Sequence, residues 1–335
     1  MIATGHEASV HRRHLADLEL VQAMALPLLL LVGFAVISRA FDVSLDDTLI
    51  RATPFVFTGL AVAVPARAGL VNIGGEGQFV AGMVFAAGAA LALDDKLPAT
   101  VLLPVLGILG ALGGLVWAGI AAVLKVTLSL NEALSTLLLN FVAPLMLGYL
   151  VFGPWKDPAT YSNLPQTAEF EDSARLPVYG LTQLHLGIPL ALVAAVVVWV
   201  MLDFTRWGFR ARVLGGNPEA ARRSGIAVRR TLFVALVAGG ALAGLGGMIE
   251  LTGIEGRLRP GIGVGFGYIG FLASWLVGHR PLEILPAALL LASISIAGDS
   301  LQIDHNLPST SVYILMAVVV LAVLGLRGGT RRAEG

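Results

Sequence analysis

Apolar residues fill this chain in runs too continuous for a soluble fold. "QAMALPLLLLVGFAVI", "IPLALVAAVVVWVML" and "SVYILMAVVVLAVLGL" are close to the roughly 17–25 residues with which a helix crosses a bilayer. They do not alternate apolar with polar positions, as the roughly ten-residue strands of an outer-membrane barrel would. The pattern predicts an all-α, polytopic helical membrane protein of about ten transmembrane helices, near 20–40, 50–67, 75–93, 100–124, 132–152, 185–204, 232–253, 263–278, 282–298 and 311–326. About eight full spans remain if two weaker segments are broken or re-entrant. Residues 1–19 form an N-terminal segment, 20–326 a transmembrane domain and 327–335 a basic tail. Two connections are long: 153–184, with Pro154, Pro158, Pro165, Pro177 and an acidic patch, and 205–231, with seven arginines.

Charge orients the spans. With both termini inside, the layout places 15 Lys and Arg inside and 7 outside, the chain's 22 in all. That is the asymmetry expected of cytoplasmic loops. It makes 153–184 an outer loop and 205–231 a cytoplasmic one, in a multi-pass protein of the bacterial cytoplasmic (inner) membrane. The start resembles a signal peptide, with basic residues before an apolar run. No small-residue cleavage site follows, so an uncleaved first span is expected. Composition agrees: 56% of residues are hydrophobic and 13% charged, against about 25% charged in soluble domains.

Several chemistries are excluded. Cysteine is absent, which removes disulfides, thiolate nucleophiles and cysteine-held metals. The histidines His6, His11, His14, His185, His279 and His305 have no H-E-x-x-H spacing. No nucleophile-and-base pair stands out. A Walker A loop needs a lysine after glycine, and Lys96, Lys125 and Lys156 do not supply one. No metal, cofactor, catalytic residue or nucleic-acid partner is expected. Any ATP-derived energy comes from a partner.

Four stretches carry polar or punctuated pattern. In the inner loop, "GNPEAARRSG" (Gly216 to Gly225) is a complete short helix. Asn217 is a good N-cap, Pro218 fits the first turn, and Glu219 suits the positive helix start. Ala220 and Ala221 follow, Arg222 and Arg223 suit the negative end, and Gly225 fits the left-handed stop. So short a helix needs a surface to dock on; the plainer reading is a basic loop obeying topology. "GLVNIGGEGQFVAGM" (69–83) sets Asn72, Glu76 and Gln78 among glycines that interrupt a helix. Transporters use such breaks to face substrate, and the plainer alternative is a cytoplasmic turn. In "NEALSTLLLN" (131–140), Glu132, Ser135, Thr136 and Asn140 share roughly one helical face. Such a face seldom meets lipid, and interhelical hydrogen bonding is the alternative for Ser135 and Thr136. In "GVGFGYIGFLASWLVG" (263–278) glycines imply a kinked or re-entrant segment, with Phe266, Tyr268 and Trp275 available to stack on a flat molecule or simply to pack.

These motifs resemble one family. "GGNPEAARRSGI" (215–226) is similar to the coupling helix of ATP-binding-cassette importer permeases of the branched-chain amino acid, simple-sugar and nucleoside branch. "ARAGLVNIGGEGQ" (66–78) and "NEALSTLLLN" resemble its nucleoside-type members. The aspartate that this branch tends to carry before the eighth span is absent, with Tyr268 and Trp275 near its place. The resemblance covers about 50–330. It implies a permease subunit, not an enzyme, working by alternating access with a separate cassette ATPase, an extracytoplasmic binding protein that lands on 153–184, a second, related permease subunit, and membrane lipid. Asn72, Glu76, Gln78, Glu132, Ser135, Thr136, Asn140, Phe266, Tyr268 and Trp275 are its substrate-pathway candidates. Residues 216–222 and Gly225 are its coupling candidates. Nucleosides lead as substrate, with simple sugars and branched-chain amino acids as alternatives. An ion-coupled secondary transporter would instead use Glu76, Glu132 or Glu250 as its coupling carboxylate.

Overall fold

The computed structural model describes residues 25–93, 95–159, 165–179 and 183–305, with 314, 316–318 and 321. The segment 1–19, most of the expected span 311–326 and the tail 327–335 lie outside the described residues.

Helices follow the apolar runs: α1 Ala25–Ala40, α2 Leu45–Arg67, α3 Gly75–Leu93, α4 Ala99–Leu128, α5 Glu132–Phe152, α6 Gly187–Phe204, α7 Arg206–Gly216, α8 Pro218–Arg223, α9 Val228–Glu250, α10 Phe266–Leu276 and α11 Ile284–His305. Among the described residues, seven helices are long and apolar enough to cross a membrane: α2 to α6, α9 and α11. The protein is an all-α, polytopic membrane protein. Side-chain caps explain several boundaries. Ser44 accepts a hydrogen bond from Asp47 N at the start of α2, and Asn131 accepts from Ala133 N and Leu134 N at the start of α5.

Burial sorts the spans into two layers. In α2 and α3, 78% and 67% of the apolar window is buried, against 28% in each of α4, α5 and α6. The first pair forms the centre with α9, and the second group presents apolar flanks. Phe55, Phe57, Phe79, Met83 and Ile249 fill the centre.

Lipid is as apolar as a leucine side chain, so close backbone contact must hold such helices together. Gly110 and Gly114 of α4 face Gly240 and Gly244 of α9, and Gly82 of α3 meets Gly244 from the other side. A Cβ on Gly114 would lie 2.7 Å from Gly244 N. The spacing of four within each pair keeps both glycines on one face.

The segment expected to span at 263–278 is broken. α9 runs on through a π-helical turn, Leu251–Glu255. The chain then passes through Gly256, Gly261, Gly263 and Gly265, all at positive φ, before α10 begins. α10 has 11 residues, about 16 Å of helix against a hydrocarbon core of about 30 Å. Its first residue packs on Phe55, midway along α2, and on Phe79, in the second turn of α3, and the loop after it lines a pocket with Ala63, Ala66 and Arg67 at the C-terminal end of α2. α10 is therefore a half-helix entered through irregular backbone. Such backbone is tolerated at this depth because protein covers it.

The segment 165–179 lies across the end of α9. Thr167 N donates to Leu258 O (3.0 Å), Phe170 N to Gly256 O (2.8 Å) and Leu176 N to Thr252 O (3.0 Å). Glu169 adds Arg175 (2.7 Å) and Arg257.

The glycine seam is testable by thermal unfolding of the purified protein. Gly114→Val should lower stability by about 1–3 kcal/mol or more, because it overpacks a backbone contact. Gly148→Ala should be neutral, since a Cβ there meets nothing within 4 Å.

Candidate functional site

The site grows from the loop between α2 and α3. α2 ends at Arg67, and Gly69 takes a positive φ of 79° that lets the chain turn back. The loop then climbs beside α2: Asn72 Nδ2 donates to Ala61 O at 3.1 Å, about 9 Å back from the helix end at 1.5 Å per residue. α3 thus begins below the surface, with backbone donors and acceptors that have no helical partner.

Side chains supply those partners. Asn72 and Gln78 form a closed amide pair, Asn72 Nδ2 to Gln78 Oε1 (3.0 Å) and Gln78 Nε2 to Asn72 Oδ1 (2.9 Å). Asn72 Oδ1 also accepts from Gly74 N at 3.0 Å. One face of α5 serves the rest of the loop. Glu132 Oε1 accepts from Val71 N (3.3 Å), Thr136 Oγ1 from Ile73 N (3.2 Å) and Asn140 Oδ1 from Gly77 N (2.9 Å). Asn140 Nδ2 returns bonds to Ile73 O (2.9 Å) and Tyr268 Oη (3.3 Å). The spacing of four and eight along α5 thus matches the climb of the loop. Ser135 stands apart, donating to Glu132 O in its own helix.

Glu76 reaches farther in sequence than the other polar residues of this cluster. Its carboxylate accepts from Gly265 N (2.7 Å) and Gly267 N (2.8 Å), the first donors of α10. Glu76 lies in the first turn of α3, so one negative charge faces two helix starts, each a partial positive charge. A Cβ on Gly267 would collide with the backbone of Glu76 and Gly75, so only glycine lets the two helix starts meet.

The aromatic candidates separate. Phe266 packs edge-on to Phe55 (centroids 5.3 Å apart) and tilted to Phe79 (6.0 Å), with the Arg51 guanidinium 5.6 Å from its centroid. Tyr268 joins the cluster through Asn140 and keeps exposed surface. Trp275 stands at the far end of α10 against Phe271 (5.8 Å) and His279 (5.0 Å). Asn72, Glu76, Gln78, Glu132, Thr136 and Asn140 are all buried, and Tyr268 is the cluster member open to a visitor.

A second site lies at α7 and α8. Asn217 Oδ1 caps α8, accepting from Glu219 N and Ala220 N, both at 3.0 Å. Gly225 ends it at φ 74°. Ala221 is buried, while Glu219, Arg222 and Arg223 point outward and pair with one another (3.4 and 3.1 Å). α7 was not foreseen from the sequence, where its arginines read as topology. Thr205, which caps it by accepting from Gly208 N, and the apolar spacing of Ala211 and Leu214 were the available signals. α7 holds α8 against the transmembrane domain. Gly215 packs on the backbone of Arg67 and Gly69, and Asp203 Oδ1 bridges Arg212 (2.8 Å) and Arg67. Beside this bridge a pocket of about 410 Å³ is lined by Arg67, Trp199, Asp203, His279, Arg280 and Glu283. Lys125, which pairs with Glu132 at 2.7 Å, is a further partner that motif reading missed.

A short, capped and exposed helix linked to a broken-helix cluster among apolar spans fits one known family. The profile of the branched-chain amino acid transport system permease component matches residues 44–324. The chain belongs to that permease family. Its relatives include the glucose ABC transporter permease protein of Haloferax volcanii, 35% identical over 84% of this chain and 76% of that one. A guanosine ABC transporter permease protein of Bacillus subtilis is 32% identical over 83% and 80%. A second guanosine permease protein of the same Bacillus is 27% identical over 89% and 95%. The permease is accordingly a membrane-embedded transport subunit.

The Glu76 clamp predicts a stability change. Glu76→Ala strands two buried N–H donors, at about 1–3 kcal/mol each, and should lower the thermal midpoint of the purified permease by several degrees. Glu76→Gln keeps an acceptor and should recover part of the loss. A midpoint unchanged in Glu76→Ala would show that the clamp carries no stability.

Proposed function

We propose that this chain is the translocation subunit of an ATP-driven importer of nucleosides in the bacterial cytoplasmic membrane, with both termini in the cytoplasm. A separate cassette ATPase docks on α8 through Gly216 to Arg222 and Gly225, and an extracytoplasmic binding protein delivers substrate to the outer loop. The observation that carries the reading is mechanical. α8 is exposed and capped, and α7 ties it to Arg67 and Gly69, where the broken-helix cluster starts. A push on α8 therefore reaches the loop that holds Asn72, Glu76 and Gln78, and through Glu76 it reaches α10. Alternating access then consists of moving this cluster and α10 against the surrounding spans.

Asn72, Glu76, Gln78, Glu132, Ser135, Thr136 and Asn140 border the pathway as its frame, and Tyr268 touches substrate, with Phe266 and Trp275 flanking it. The guanosine permeases among the relatives support a nucleoside. Two such proteins in one organism support a second, related permease subunit beside this chain. The glucose permease relative favours a simple sugar as the second reading, since a hexose uses the same hydroxyl-binding groups.

Two experiments test the proposal. Glu219→Arg reverses the charge at the start of α8 and sets it beside Arg222 and Arg223. Substrate uptake and co-purification of the ATPase should both fall at least about tenfold, the effect of losing about 1.4 kcal/mol, with unchanged amounts of permease in the membrane. Uptake by the purified chain driven by an ion gradient, without ATPase or ATP, would instead establish a secondary transporter. For the substrate, labelled adenosine uptake by the assembled transporter should be inhibited by unlabelled nucleosides. Inhibition by glucose or pentoses alone selects the sugar reading, and inhibition by branched-chain amino acids alone rejects both.

A further inference from the structure

We infer that Glu250 binds a pair of adjacent hydroxyl groups on the transported molecule, the vicinal diol of a pentose or hexose, in the outer half of the transmembrane domain. The inference rests on the reading of this chain as a nucleoside or sugar permease and names the part of the substrate that is recognised.

Charge accounting singles out Glu250. Three glutamates of the spans are buried: Glu76, Glu132 and Glu250. Glu76 accepts two N–H groups of α10, and Glu132 holds Val71 N and Lys125. Glu250 is 7% exposed and makes no hydrogen bond or ion pair to any described residue. The charges that act on it are those of Arg51 and Glu255. Both are engaged elsewhere, Arg51 with Asp299 at 3.1 Å and Glu255 with Arg259 at 2.8 Å. A buried carboxylate without donors is costly, and ionisable groups within a membrane domain are kept where they are used.

The surroundings suit a sugar ring. One turn before Glu250, Gly246 and Gly247 face Phe57 of α2 and Phe79 and Met83 of α3. Residues three and four apart share a helical face, so Glu250 lies toward the same two helices. Phe79 also packs on Phe266, whose ring carries the Arg51 guanidinium. A carboxyl acceptor and the ring of Phe266, which keeps part of its surface exposed, match the O–H and C–H faces of a furanose or pyranose. A carboxylate has two oxygens and accepts only, so it takes two neighbouring hydroxyls and would repel a phosphate.

The position is on the delivery route. α9 changes to a π-helical turn immediately after Glu250, and such turns are frequent at functional sites. The outer loop bonds to that turn and the residue after it, at Thr252 and Gly256. Substrate released at the outer loop meets this turn before it reaches the start of α10.

The test uses the assembled transporter in proteoliposomes with its binding protein saturated, so that selection by the binding protein does not enter. Turnover is measured with adenosine and with 2′,3′-dideoxyadenosine. If glucose and not adenosine is carried, the pair is D-glucose and 2,3-dideoxy-D-glucose, whose pyranose form has no two adjacent carbons that both carry a hydroxyl. The wild-type ratio of diol to deoxy turnover should be roughly tenfold or more, the effect of hydrogen bonds to a charged group. In Glu250→Gln it should fall toward one, through loss of turnover with the diol substrate. A wild-type ratio near one, or a ratio unchanged by Glu250→Gln, overturns the diol assignment and leaves the transport reading standing. Uptake of neither adenosine nor glucose by the wild type overturns the nucleoside-or-sugar reading and the diol assignment with it. Where Glu250→Gln does not assemble, Glu250→Asp keeps the charge and withdraws it by one methylene. The ratio should then drop several-fold, and an unchanged ratio again overturns the assignment.

Discussion

The carboxylate of Glu76 lies between two helix starts inside the membrane domain, and the rest of the centre is arranged around it. α3 and α10 both begin below the surface, and each start leaves N–H groups without helical acceptors. Water is scarce at that depth, so an unmet donor costs several kcal/mol. Glu76 meets the donors of α10 from within the first turn of α3, and its charge opposes the partial positive charge of both helices. Asn140 and Asn72 then complete the start of α3 with neutral amide oxygens. A second carboxylate in that shell would have repelled the first; neutral acceptors avoid the conflict.

This arrangement requires backbones to approach more closely than side chains normally allow. Gly75 and Gly267 let the two helix starts touch, Gly59 and Gly270 let α10 lie on α2, and Gly82, Gly114 and Gly244 bring α3, α4 and α9 together. The glycines therefore do two jobs. In 256–265 they supply positive φ; in the spans they remove volume. Hydrophobic sequence alone is nearly indifferent between lipid and another helix, so contact between bare backbones is what ties α4 to α9 and draws α2, α3 and α10 together.

The spans were largely legible in the sequence, and the reasons are local. α3 and α5 begin and end at the expected residues because glycine and a capping asparagine mark their starts. α8 was legible for the same reason, from Asn217 through Gly225. Three things were less legible. α10 is shorter than its apolar run because the glycines before it hold non-helical backbone, which hydropathy does not register. α7 was hidden because an amphipathic helix rich in arginine has the composition of a basic loop. The polar residues of 72–78 were expected near a break in the helices and those of 131–140 on one helical face turned from lipid, but a sequence does not say whose hydrogen bonds a side chain makes. Here most of them go to the chain's own backbone, across 61 to 67 residues of sequence.

That allocation constrains how such a domain can move. Pulling α10 away from α3 would break two charge-assisted bonds at once and leave a carboxylate and two helix starts without partners, a cost of several kcal/mol. Pulling the 71–77 backbone from α5 would strand further buried groups of Asn140, Thr136 and Glu132. Rotation at Gly261 breaks far less, because a side chain there would meet nothing within 4 Å and glycine changes φ with little penalty. The same holds at Gly216, the last residue of α7, where a side chain would meet nothing within 4 Å. The cheap degrees of freedom thus lie at the two edges of the cluster, one toward the outer loop and one toward α8. The cluster with α10 is stiff between them, so displacement at one edge is carried to the other instead of being absorbed at the centre.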